Sequence, residues 1–255
     1  METISKNIGK FTIYLGKVLL PVLLSSFIFG GILAKYNNEM NLNKAILESA
    51  YQPMKKQYRE CSRAKNLFRR QLTGYQAFVG GLEEYIQHGV TPPATFWKQI
   101  EHSAYNNVTS LGHLEETWED VMACYGTFGS LLEDMSIILG GKAQEGLDSI
   151  IERRNTRLES LIREKNEIFK KLYSYELDGL AGGIREASAA EIQKKATEWG
   201  NTLKKAMAEL KDLEQIILKA SDGQNKDFDD SDAIAAKALR KRFETGPFDF
   251  LPHTA

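Results

Sequence analysis

Four histidines, His88, His102, His113 and His253, are the first residues to test for chemistry. A di-iron centre in a helical bundle needs two Glu-x-x-His pairs and further inward glutamates. No glutamate stands three residues before a histidine in this chain. Glu84 with His88, and His113 with Glu116, have one-face helical spacing. Each pair still supplies fewer ligands than the four a closed metal site uses. The neighbouring carboxylates Glu115-Glu116, Glu119-Asp120 and Glu133-Asp134 cannot face each other on a helix, so they read as solvated surface rather than as an acid–base pair. No HExxH, GxSxG, GxxxxGK or GxGxxG spacing occurs. Residue types alone therefore indicate no catalytic site, no cofactor and no metal.

Two residues remain with chemistry of their own. Cys61 and Cys124 are the only cysteines, and an even count outside the cytoplasm invites pairing. The helices carrying them are predicted to turn back on each other at residues 89–93. Cys61 lies 27 residues before His88 and Cys124 lies 31 after Pro93. These separations put the two at about 40 and 46 Å from the turn, nearly one level in an antiparallel hairpin. In a cytoplasmic protein the same two residues would stay reduced, as small buried apolar groups.

The elements that hold these residues follow from hydrophobic spacing. In the first helix, about 40–88, Met54, Tyr58, Cys61, Lys65, Phe68, Leu72, Tyr75, Val79, Leu82 and Ile86 alternate steps of four and three, the mark of one buried, coiled-coil-like seam. The second, about 92–139, opens at Pro92-Pro93 and carries Trp97, Trp118, Tyr125, Phe128 and Leu139 before Gly140-Gly141. The sequon Asn107-Val108-Thr109 falls inside it. The third, about 142–178, carries Ile150, Ile151, Leu158, Leu161, Ile162, Ile168, Phe169 and Leu172, with Arg154 and Lys165 on or beside its seam, tolerable if their heads reach water. The fourth, about 188–221, begins with a capping box, Ser188 to Glu191, and is expected to stop at Ser221-Asp222-Gly223. Trp97, Trp118 and Trp199 lie on seams and read as core. The prediction is an all-α fold, an elongated antiparallel up-down-up-down four-helix bundle spanning 35–223. An acidic linker (Asp227, Asp229, Asp230, Asp232), a short helix and a tail complete the chain over 224–255.

Ahead of the bundle stand a basic segment, 1–17, and an uncharged run from Val18 to Ala34. Those 17 residues give roughly 25 Å of helix, close to the thickness of a hydrocarbon core. They predict a single transmembrane anchor in the lipid bilayer. A cleaved secretory signal has the same basic and apolar regions, but Ile32 stands where the cleavage rule wants a small residue. Residues 1–35 carry a net +3 (Lys6, Lys10, Lys17 and Lys35 against Glu2), so the remainder is −4 of the total −1. A mildly acidic body argues against nucleic-acid binding. Lysines flank both ends of the apolar run, which nearly balances the positive-inside count. The reading taken is N-terminus inside and the helical domain on the periplasmic side of a bacterial-type inner membrane. The alternatives are a cytoplasm-facing domain or secretion after cleavage. A fourth helix running back toward the anchor would bring Lys237, Arg240, Lys241 and Arg242 to lipid headgroups; the alternative is a tail packed on the bundle.

These features together predict a membrane-anchored interaction or scaffold protein with a protein partner, or one that self-associates. The alternative is an extracytoplasmic ligand-sensing domain, since the layout resembles the four-helix sensors of chemoreceptors in architecture alone. Those sensors have a second transmembrane helix after the bundle, and no such run exists in 218–255.

Overall fold

The computed structural model describes residues 20–101 and 110–244, all helix and connecting turns, with no strand among them. Its elements are α1 (Leu20–Ile46), a π-helical turn (Leu47–Tyr51), α2 (Gln52–Gln87), α3 (Ala94–Glu101), α4 (Leu111–Leu139), α5 (Gly141–Ser174), α6 (Leu177–Glu186) and α7 (Ala189–Phe243). The chain divides into two compact units, one of residues 52–234 and one that joins 1–51 with 235–255.

In the larger unit, α2, α4, α5 and α7 form an antiparallel bundle in which each helix pairs with the next and α7 returns to α2. Phe68 meets the Trp118 ring edge-on at 5.2 Å, across α2 and α4. Lys165 bonds Glu119 across α5 and α4, and Lys171 bonds Glu209 across α5 and α7. Tyr58 and Asn225, 2.8 Å apart, close the ring between α7 and α2. The predicted seams of α2 and α4 are largely the buried ones. Met54, Cys61, Phe68, Leu72, Tyr75, Val79, Leu82 and Ile86 face inward on α2, as do Leu114, Trp118, Val121, Tyr125, Phe128, Leu132 and Met135 on α4. Each such large apolar side chain contributes roughly 1.5–3 kcal/mol of burial energy. The turn from α4 to α5 requires two residues in the left-handed region. Gly140 (φ 63°) and Gly141 (φ 52°) supply them at no steric cost.

Several predicted boundaries move. The second helix is not continuous from 92 to 139. Ser110 has an extended backbone and its side chain accepts from the His113 amide at 3.2 Å, starting α4 afresh. His102 and the sequon at Asn107 fall in 102–109, outside the described residues, as does His253. The third helix ends at Ser174, and α6 begins after Glu176, whose φ is 48°. Ser188 caps α7 as predicted, with its amide 2.9 Å from Glu191 Oε2 and its hydroxyl accepting from the Glu191 amide at 3.3 Å.

The largest correction concerns residues 221–243. The fourth helix does not stop at Gly223, and 224–232 is no linker: α7 runs unbroken to Phe243. The four-and-three spacing simply continues through Gln224, Asp227 and Ser231, all buried, with polar groups in place of apolar ones. Gly223 is kept for packing, since a Cβ there would collide with the Arg157 guanidinium.

In the smaller unit, Asn43, Ile46 and Ala50 are buried, and so are Ala235 and Leu239. The predicted transmembrane segment, 18–34, is helical from Leu20 onward, but among the described residues no helix is long and apolar enough to cross a membrane. The physical reason is length. Only Leu20 to Ala34 is apolar within α1, roughly 22 Å of rise, before Lys35, Asn37, Asn38 and Glu39 follow on the same helix. Residues 1–19, with the basic segment, lie outside the described residues.

Candidate functional site

The two described histidines, His88 and His113, each pair within their own helix. His113 Nδ1 lies 3.3 Å from its i+3 neighbour Glu116, and His88 Nδ1 lies 2.8 Å from the carbonyl of Glu84 rather than from its carboxylate. Among the described residues no group of three or more potential ligands surrounds a metal-sized space.

The cysteines do converge. Cys61 on α2 and Cys124 on α4 form a disulfide with Cα atoms 5.3 Å apart, well inside the span such a bond accepts. Cys61 is buried on its seam and Cys124 is half-buried on the flank of the α4 stripe. Gln57, one turn before Cys61, covers the bond: its Nε2 donates to the Cys124 carbonyl at 3.3 Å and lies 3.1 Å from the Cys124 sulfur. Antiparallel packing of two regular seams brings the pair to one level, so the geometry needs no special loop.

Two ionic clusters stand inside the same bundle, and both correct the expectation that Arg154 and Lys165 reach water. Both are buried on the α5 seam. Lys165 Nζ sits 2.8 Å from Glu115 and 2.7 Å from Glu119. Burial works to lower its pKa, but the hydrogen bonds it donates to these two carboxylates outweigh it, and the ammonium is held above its ordinary range. Burial likewise works to raise Glu115, yet the Lys165 ammonium and the Tyr173 hydroxyl leave its carboxyl below the usual carboxylate range. Tyr173 is in turn pushed up to about 12, by burial first and by its bond to Glu115 second.

The second cluster surrounds Asp227, which has no exposed surface at all. Arg153 Nη2 reaches one of its oxygens at 3.1 Å and Asp230 at 2.7 Å, while Arg157 Nη2 bonds the other Asp227 oxygen. Arg154, one residue along, turns inward instead. Its Nη2 donates to the Tyr125 carbonyl, its Nη1 donates to Asn155 Oδ1 at 2.9 Å, and it fills the space that Gly129 leaves open. Above these pairs the rings of Tyr58 and Phe228 stack at 3.8 Å. This cluster was not foreseen from sequence. Its signal was present: Asp227 falls seven residues after Ala220 and four before Ser231, on the α7 seam. What these clusters do chemically is hold charge in fixed pairs.

The predicted basic group is helical, on the last turns of α7. Lys237, Arg240 and Lys241 are exposed and Arg242 is half-buried. These residues belong to the same compact unit as α1. Compared with protein-family models, with curated proteins and with solved structures, the chain matches none.

Proposed function

We propose that this chain is a membrane-tethered helical interaction module, held by its N-terminal apolar run (residues 18–34) and presenting the bundle outside the cytoplasm to a protein partner. The observation that carries the reading is the surface of α1. Phe27 is 84 % exposed, and Ile28, Phe29 and Leu33 are each more than half exposed. An apolar helix with its side chains uncovered on all sides needs an apolar surrounding. The run reaches its full length only with Val18 and Leu19, and Phe11 to Gly16 lengthen it past Lys17, whose stem can snorkel. The disulfide supports the extracytoplasmic side, where such bonds persist. The ionic clusters support a binding role over an enzymatic one, since they are saturated by each other. Reporter fusions after Ala34 and after Glu244 are expected to report the extracytoplasmic side, with membrane fractions retaining Met1. A cytoplasmic signal after Glu244 would reverse the orientation, and a mature chain starting near Lys35 would replace the anchor with a cleaved signal.

The basic end of α7 contributes a second, electrostatic attachment. Its place in one unit with α1 supports contact with anionic headgroups, each basic residue adding about 1 kcal/mol near such a surface. Residues 36–255, freed of the apolar run, should co-sediment with vesicles containing phosphatidylserine, and release as salt rises. Reversal of Lys237, Arg240, Lys241 and Arg242 should remove the binding. Equal binding to neutral vesicles would instead make this end part of the packing.

A further inference from the structure

The outer face of the α4–α5 hairpin carries a groove that none of the foregoing uses. It runs along α5 from Gln144 to Glu159, 15 residues and therefore roughly 22 Å, about four helical turns. Its floor is apolar: Ile137, 73 % exposed at the end of α4, and Ile151, half-buried on α5. Its rim carries four carboxylates, Glu133, Asp148, Glu152 and Glu159, and no cationic side chain lines it. Asp148 accepts from Ser136, while Glu152 and Glu159 have no ion pair among the described residues. Beyond Glu159 the surface is mixed in charge, with Arg163 and Lys170 beside Glu167 around Ile162, which sets the end of the purely acidic stretch.

Ile137 and Ile151 share one concavity framed by four carboxylates, and apolar side chains grouped inside a polar rim are where partner segments dock. The charge chooses the partner. Anionic lipid and nucleic acid are repelled by this rim, and a polyamine would leave the isoleucines bare. We propose that the groove docks a basic amphipathic helix of a partner protein, with apolar anchors at i and i+3 or i+4 on Ile137 and Ile151, and lysines or arginines against the four carboxylates. The inference deepens the interaction-module reading and rests on it.

The test uses the full chain in nanodiscs of neutral phosphatidylcholine, with empty nanodiscs as the blank. The probe is an 18-residue Leu/Lys peptide whose leucines share one helical face. Two comparison peptides accompany it, one of the same composition scrambled to lose that face and one with Glu for Lys. The first peptide should bind roughly tenfold tighter than either comparison and protect amides of residues 133–159 from exchange. Ile137→Ser, and Glu152→Lys with Glu159→Lys, should each weaken it about tenfold. Glu186→Lys with Glu198→Lys, the same charge change at exposed sites elsewhere, should not. Thermal melts check that all variants remain folded. Equal binding of the scrambled peptide, equal loss in the remote double reversal, or protection outside 133–159 would overturn the proposal. A wild-type dimer that dissociates on Ile137→Ser would overturn it too, by making the groove a contact between copies. In-cell crosslinking of the same variants separates the two levels: a partner retained by both groove variants defeats the groove alone, whereas no discrete partner of the wild type defeats the module reading.

Discussion

Replacing Cys61 and Cys124 together with alanine is expected to lower the stability of the bundle by roughly 4 kcal/mol on the chain-entropy model. The bond links residues 63 apart, so its loss frees a long loop of the unfolded chain. For a unit of this size the melting temperature should fall by on the order of 10 °C. Reductant should produce the same shift in the wild type and none in the double variant, which separates the bond from the packing of the two sulfurs. The buried position of Cys61 and the cover provided by Gln57 should make native-state reduction slow, with denaturant accelerating it sharply. Protein alkylated at lysis and denatured should show no free thiol before reduction and two after. Two free thiols before reduction would mean that the chain resides in a reducing compartment, and the extracytoplasmic reading would fall with the bond.

The buried Asp227 gives the second large effect, and its sign depends on which partner is removed. Arg153→Ala with Arg157→Ala leaves a fully buried carboxylate without its two hydrogen-bonded counter-charges, with Arg154 as the remaining nearby cation, and should cost about 3 kcal/mol. Asp227→Leu should cost less, since the buried Arg154 loses a nearby anion but keeps its bond to the Tyr125 carbonyl. The two guanidiniums this substitution releases are partly exposed and can turn to water, and Arg153 keeps Asp230 at 2.7 Å. Replacing a buried ion pair by apolar groups is often close to neutral. Denaturant titrations of the three proteins decide this. Equal destabilisation by both changes would show that the Asp227 hydrogen bonds themselves, rather than charge balance, hold α7 against α5. A second outcome is local: because Asp227 is where the polar part of the α7 seam meets α5, the double arginine variant should lose amide protection over 221–235 before it loses protection in the apolar half of the helix.

The bundle itself was legible because it rests on a rule of spacing. Steps of four and three put Phe68, Leu72, Tyr75 and Val79 on one stripe whatever their neighbours are, and an apolar stripe must be buried. The cap at Ser188 was legible for a local reason, since its two hydrogen bonds lie within four residues. The level match of Cys61 and Cys124 was legible too, because helical rise converts sequence distance into length along the axis.

What failed were the judgements that equated polar residues on a seam with solvent, while the carboxylates of Glu116, Glu119, Asp120, Glu133 and Asp134 are exposed as expected. Arg154 and Lys165 looked like faults in a seam, and Gln224, Asp227 and Ser231 looked like the end of a helix. All five are buried, and the charged ones are so because a counterpart arrives from another helix: Glu115 and Glu119 for Lys165, Arg153 and Arg157 for Asp227, the Tyr125 carbonyl for Arg154. A one-dimensional pattern scores a residue by its own transfer cost, and that cost is cancelled only by a partner distant in the chain. The length of α7 was decided in this way, and so was the groove on the outer face of α5. Ile151 and Ile162, which the spacing assigned to the third seam, lie half-buried and exposed, since the inward arc of α5 is taken by Leu147, Ile150, Arg154, Leu161 and Lys165. Sequence by itself determined that this chain is a set of amphipathic helices behind an apolar run, because periodicity is a property of the chain alone. Only the tertiary structure decided which charges are interior and which isoleucines are left outside, because both depend on what the neighbouring helix brings to the contact.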